Sequence, residues 1–118
     1  MADLNEFIFQ AVSIMRSHAG DAGARELDFL SREILYRIGE AHLSNEALIV
    51  GDIISDDNYG SPATAHGRIK KLVKEDWVKL VSDPIDGRRK LLRLTDKSVR
   101  MYNKISMSLI RMGKKQRV

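Results

Sequence analysis

The chain has no cysteine. Disulfides, thiolate chemistry and a cysteine-based zinc site are thereby excluded. Its histidines, His18, His42 and His66, stand at no metal-ligand spacing and have no acidic cluster around them. Neither a metal nor any other cofactor is expected. No apolar run reaches the roughly 18 residues that a membrane span needs. The first residues, MADLNEFIF, are acidic where a secretory leader would be basic. The expectation is a cytoplasmic protein with no membrane partner. Internal repeats and low-complexity segments are absent too. Ser, His and Asp are scattered, with no nucleophile turn, phosphate loop or paired-carboxylate pattern, so an enzyme is not expected.

What is present is a strong division of charge. Residues 1–59 carry four basic residues (Arg16, Arg25, Arg32 and Arg37) against 11 acidic ones, a net charge of −7. Residues 60–118 carry 16 basic residues against 5 acidic ones, a net charge of +11. A basic half of that size is the electrostatic footprint of a polyanion binder. A solvated, lysine-rich surface is the plainer alternative. At 118 residues the chain is long enough for one domain and one modest core.

Apolar periodicity predicts a first helix over 3–18, with Leu4, Phe7, Ile8, Ala11, Ile14 and Met15 on its face and Phe9 and Val12 widening it. Asp3 and Glu6 fit a capping box. AGDAGA, residues 19–24, reads as a flexible break. A second helix is expected over about 26–42, with Leu27, Leu30, Ile34, Leu35 and Ile38 buried. Ala47–Val50 reads as a short strand leading into a helix from about Gly51 to Asp57, and Asn58–Gly60 as a turn. Ser61 suits an N-cap and Pro62 the first helical position. That helix should run over 61–75, with Ala65, Ile69, Leu72 and Val73 facing inward. The period then changes. WVKLVS (77–82) and RRKLLRLT (88–95) read as two strands joined by DPIDG. Thr95 should cap a last helix over about 96–112, with Val99, Tyr102, Ile105, Leu109 and Met112 on one face. The tail GKKQRV reads as basic and frayed. The fold expected is mainly α with a small β wing. A short helix, a turn, a second helix and a basic hairpin describe a winged helix-turn-helix.

The stretch GSPATAHGRIKKLVKEDW (60–77) carries the functional reading. In a helix-turn-helix the second helix enters the major groove by its N-terminal turns. Its positive end and free N–H groups suit a phosphate. Ser61, Thr64 and His66 can donate to phosphates or bases. Arg68 can make the two-pronged contact to guanine that discriminates bases most strongly. Lys70, Lys71 and Lys74 fit backbone phosphates, which supply affinity rather than sequence reading. Gly67 costs the helix about 1 kcal/mol relative to Ala. Close approach to DNA would account for it, and simple tolerance is the other reading. At the hairpin tip, Asp86 can hold Arg88 extended for entry into a minor groove. Arg89 and Lys90 would track the flanking phosphates. Alone, this tip could be only a solubilising turn.

SPATAHGRIKKLVKEDWVKLVSDPIDGRRKLLRLT resembles the recognition helix and wing of MarR-type winged-helix transcriptional regulators. Ser61, Thr64, Ala65, Ile69, Leu72, Trp77 and Val78 fit the helix pattern, and Asp83, Pro84, Asp86, Arg88, Leu94 and Thr95 the wing pattern. The match covers about 45–98. Asp76 stands where that family usually has Gly, and Asp can adopt the left-handed conformation. Ala65 replaces a larger apolar residue. The resemblance implies a homodimer, with the helices at 3–18 and 96–112 as a dimerisation platform around a DNA-binding core at about 26–95, in a single domain spanning 1–118. The apolar first helix and the methionines of the last (Met101, Met107, Met112) agree with a helix–helix interface. The resemblance also implies a small-molecule effector, though no ligand motif is readable. The function expected is sequence-specific binding of double-stranded DNA by a transcriptional regulator, a dimeric repressor, with helix 61–75 in the major groove and wing 78–94 in the minor groove. The alternative is a winged-helix protein–protein adaptor with a basic docking face.

Overall fold

Residues 3–18 and 24–115 are described by a computed structural model of the chain. The elements run α1 (Phe7–Ser17), α2 (Phe29–Ser44), α3 (Val50–Ile54), a 3-10 turn (Asp57–Tyr59), α4 (Pro62–Lys74), β1 (Val78–Ser82), β2 (Lys90–Leu94) and α5 (Asp96–Lys115). The chain divides into two compact units. One is Leu27–Ser98; the other comprises the described residues before Leu27 and from Val99 onward.

In the Leu27–Ser98 unit, α2 begins where Asp28 turns extended and its carboxylate accepts the Ser31 N–H at 2.8 Å. It ends at Asn45, whose φ of 57° is left-handed. Leu27, Ile34, Leu35, Ile38 and Ala41 face the core. The strand expected at Ala47–Val50 does not form. Ile49 instead caps α3: its N–H donates to the Asp52 carboxylate at 3.0 Å and its carbonyl accepts the Asp52 N–H at 3.1 Å. These bonds compete with a sheet ladder for the same backbone groups. One strand-like bond survives, from the Leu92 N–H to the Leu48 carbonyl at 2.8 Å. The helix α3 stops at Ile54 rather than Asp57, and residues 57–59 tighten into the 3-10 turn. Gly60, at a φ of 83°, makes the reversal that a side chain would oppose.

Ser61 caps α4 as expected, accepting the Thr64 N–H at 3.2 Å, with Pro62 at the first position. Ala65, Ile69 and Leu72 are buried, but Val73, one residue past that stripe, is exposed. Asp76 takes a φ of 64°, so the left-handed turn is made without glycine. The chain then reverses, and the Trp77 N–H closes on the Leu72 carbonyl at 2.9 Å. The strands pair antiparallel from Val78↔Leu94 to Ser82↔Lys90. They are shorter than expected. Trp77 belongs to the end of α4, and Arg88 and Arg89 are tied to Asp86 in the connecting turn. Thr95 caps α5 by accepting the Ser98 N–H at 3.3 Å. Trp77, 1% exposed, lies under the Lys97 ammonium, 3.8 Å from the ring centre.

In the other unit, α1 starts at Phe7, not at residue 3. Glu6 is its cap without a side-chain bond, and Asn5 accepts the Phe7 N–H at 2.8 Å, so Asp3 and Glu6 form no capping box. Within α1 only Ala11 is buried. The α5 face expected at Val99, Tyr102, Ile105, Leu109 and Met112 stays half-buried. Helix α5 runs to Lys115, so Gly113–Lys115 of the expected frayed tail are helical; residues 116–118 lie outside the described residues. The expected break at 19–24 does too, except for Ala24. Among the described residues no helix is long and apolar enough to cross a membrane.

Candidate nucleic-acid interface

The outward side of α4 follows from its period. With Ala65, Ile69 and Leu72 buried, the opposite face carries Ala63, His66, Gly67, Lys70 and Lys74, with Lys71 beside it, and all are exposed. A Cβ added at Gly67 would meet nothing within 4 Å. No packing inside the protein therefore calls for glycine there. The Ser61 hydroxyl donates to the Thr64 hydroxyl at 2.9 Å, so both side chains are engaged at the helix start.

Arg68 stands apart from this face. It lies on the flank of α4, and its Nε donates to Asp28 Oδ2 at 2.7 Å. Asp28, the cap of α2, is a neighbour of Arg68 that the sequence reading did not single out. Hydrogen bonds from Ser31, then those from Arg68, hold its carboxyl below the ordinary carboxylate value.

The hairpin tip is stapled by two carboxylates. Asp83 is buried and accepts the Ile85 N–H at 2.9 Å, with Arg89 Nε at 3.8 Å from its other oxygen. Asp86 Oδ1 accepts both the backbone N–H and Nε of Arg88, at 3.1 and 3.2 Å. The Arg88 side chain is nevertheless 92% exposed. Its hydrogen bonds, side chain first and backbone second, hold Asp86 below the usual carboxylate range. The pair is too open to matter much for stability, but it fixes where an exposed guanidinium stands. Lys90 donates to the Ser82 hydroxyl at 2.8 Å. Lys79, exposed on β1 opposite Arg93, is a further cation that the reading of the tip passed over; alternation along the strand could have found it. Arg93 itself is buried and donates to the Leu92 carbonyl at 2.9 Å.

The residues singled out from sequence thus fall into two clusters of one unit: Ser61, Thr64, His66, Lys70, Lys71 and Lys74 on α4, and Asp86, Arg88, Arg89 and Lys90 at the hairpin. Arg68 sits between α4 and the start of α2. Among the described residues no group of His, Cys, Asp and Glu could hold a metal ion.

No protein-family model matches the chain, and no curated protein does. Solved structures share its fold. MepR of Staphylococcus aureus in complex with DNA superposes with a TM-score of 0.61 at 18% identity, over 95% of this chain and 84% of that one. MepR bound to ethidium bromide gives 0.63 at 15% identity, over 97% and 80%. The transcriptional regulator Tm0710 of Thermotoga maritima gives 0.59 at 18% identity, over 93% and 75%. At such identities the likeness is one of fold. The fold is that of the MarR-type winged-helix regulators, five helices with a two-stranded wing.

Proposed function

We propose that this protein is a dimeric, sequence-specific binder of double-stranded DNA that represses transcription by occupying a pseudo-palindromic site. The observation that carries the reading is the outward face of α4, whose exposed residues are small or cationic and whose glycine opens onto empty space. Helix α4 would lie in the major groove, with His66, Ser61 and Thr64 near its leading end and Lys70, Lys71 and Lys74 on phosphates. Arg88 would enter the flanking minor groove, with Arg89 and Lys90 on the strands beside it. The solved MepR–DNA complex supports a nucleic-acid role for this fold. The ethidium-bound MepR supports a small-molecule effector in the same way. Dimerisation through α1 and α5 is supported by the apolar side chains that α1 leaves open. It would set two recognition helices about one helical turn apart, roughly 34 Å. The chain acts by binding rather than catalysis, in the cytoplasm.

The test is fluorescence anisotropy of the protein against pooled short duplexes from its source genome, at several salt concentrations and with unrelated DNA as competitor. Retention of a subset, with affinity falling steeply with salt, is the expected result. Salt-sensitive binding without preference would make it an architectural binder. No binding at low salt, with or without candidate effectors, would overturn the reading in favour of an adaptor whose basic face docks an acidic protein.

A further inference from the structure

We infer that Asp28 is a positioning residue for base reading by Arg68, an inference that rests on the DNA-binding function proposed above. The two residues are 40 positions apart, and one carboxylate does two things. Oδ1 accepts the Ser31 N–H at 2.8 Å and starts α2; Oδ2 accepts Arg68 Nε at 2.7 Å. Only Nε of the guanidinium is engaged. Both terminal amino groups lack a partner among the described residues, and the side chain is 37% exposed. An arginine reads guanine with two parallel N–H bonds to O6 and N7. A fork already held by its Nε meets the base with less freedom left to lose.

The charge of Asp28 adds a second effect. A carboxylate against Arg68 offsets the attraction of that guanidinium for any nearby phosphate, so contact with arbitrary DNA is weakened. Contact with a correctly placed guanine keeps its two directed bonds. Both effects raise the ratio of specific to non-specific binding. Asp28 is poised for this because it is the cap of a neighbouring helix and is held there whether or not DNA is present.

The capping role can be separated from the positioning role. Asn and Ser cap helices about as well as Asp, so Asp28→Asn and Asp28→Ser keep α2 while removing the charged acceptor. Wild type, both variants and Arg68→Ala are titrated against the selected duplex, against copies with each guanine replaced in turn, and against unrelated duplex, with melting temperatures measured alongside. The expected result is a loss of about five- to tenfold in the specific-to-non-specific ratio for both Asp28 variants. That loss should fall at the same base pair as the larger loss in Arg68→Ala, with non-specific affinity equal or higher and melting unchanged. An unchanged ratio in the Asp28 variants, or a loss spread evenly over all positions, would overturn the inference while leaving the DNA-binding function intact. A wild type that prefers no duplex would overturn both.

Discussion

Between Leu27 and Ser98 a set of large apolar side chains closes a core, while Phe29, Leu43 and Ile85 stay open at its surface. Ile34, Leu35, Ile38, Leu48, Ile53, Leu72, Trp77 and Leu92 are 2% exposed or less. In α1 and its flank the same kinds of residue are open: Leu4 is 80% exposed, Ile8 57% and Phe9 59%, and Met107 and Ile110 of α5 are each 50% exposed. Both regions have helical periodicity in their sequence, yet only one closes a core with it. The difference teaches that the winged unit is built to stand by itself, while α1 and the later turns of α5 carry apolar surface that a single chain does not cover. Surface of that kind is what the proposed pairing of two chains would cover. Charge does not follow that division: α4 and the hairpin display cations around a closed core, α1 displays phenylalanine and isoleucine, and α5 carries Arg100, Lys104, Arg111, Lys114 and Lys115.

The comparison breaks most visibly at Trp77. Trp77→Ala should cost about 3–5 kcal/mol, because the ring is buried at the turn from α4 into β1. Urea denaturation followed by circular dichroism would measure it, and a loss under about 1 kcal/mol would deny the winged unit a core of its own. Next comes the open face. Ile8→Ser with Phe9→Ser should leave the winged unit's melting in place but weaken the proposed dimer at least about a hundredfold, since each apolar side chain buried in an interface is worth about 1.5–3 kcal/mol. Sedimentation equilibrium gives the answer, and an unaltered dimer would place the interface elsewhere.

A smaller effect of opposite sign belongs to Gly67. Gly67→Ala has free space for its methyl group and should stabilise α4 by about 0.5–1 kcal/mol. If the outward face meets DNA closely, the same substitution weakens duplex binding several-fold. Greater stability with undiminished binding would make the glycine merely tolerated. The smallest effect is one of pH. The His42 Nδ1 accepts the Leu94 N–H at 3.1 Å, so that nitrogen carries no proton. Burial first, then Arg93 and Lys79, holds its pKa below the ordinary 6.5. Unfolded chains therefore take up a proton before the folded one does as pH falls. The stability contribution is present above about pH 6.5 and is lost on acidification through the lower folded value. Melting temperatures at pH 7.5 and 5.5 should fall for wild type, and His42→Gln should flatten the dependence.

The legible part of the fold is the part written in local chemistry. Ser61 and Pro62 announce the start of α4, Thr95 caps α5, and the change of period after Glu75 announces the wing; each works within a few residues of itself. Asp3 and Glu6 had the right spacing for a cap, but Asn5 took the bond to the Phe7 N–H. Ala47–Val50 had strand composition, but Asp52 captured the Ile49 N–H and turned the segment into a helix start. In both cases a side chain close by outbid the pattern for a backbone donor. The candidate interface was legible wherever exposed cations follow a helical or hairpin period. The Asp28–Arg68 contact was not, because no local period links residues 40 apart. The ion pair exists only once α2 and α4 have packed.

Trp77 is the chain's one tryptophan. It is buried inside the Leu27–Ser98 unit beneath the Lys97 ammonium. Its emission is therefore a built-in optical probe of that unit, blind to α1 and to most of α5. Far-ultraviolet dichroism, by contrast, sums every helix. Recorded on one sample, the two signals keep separate clocks for the two regions, and any gap between their midpoints reads directly how far one region can come apart while the other stays whole.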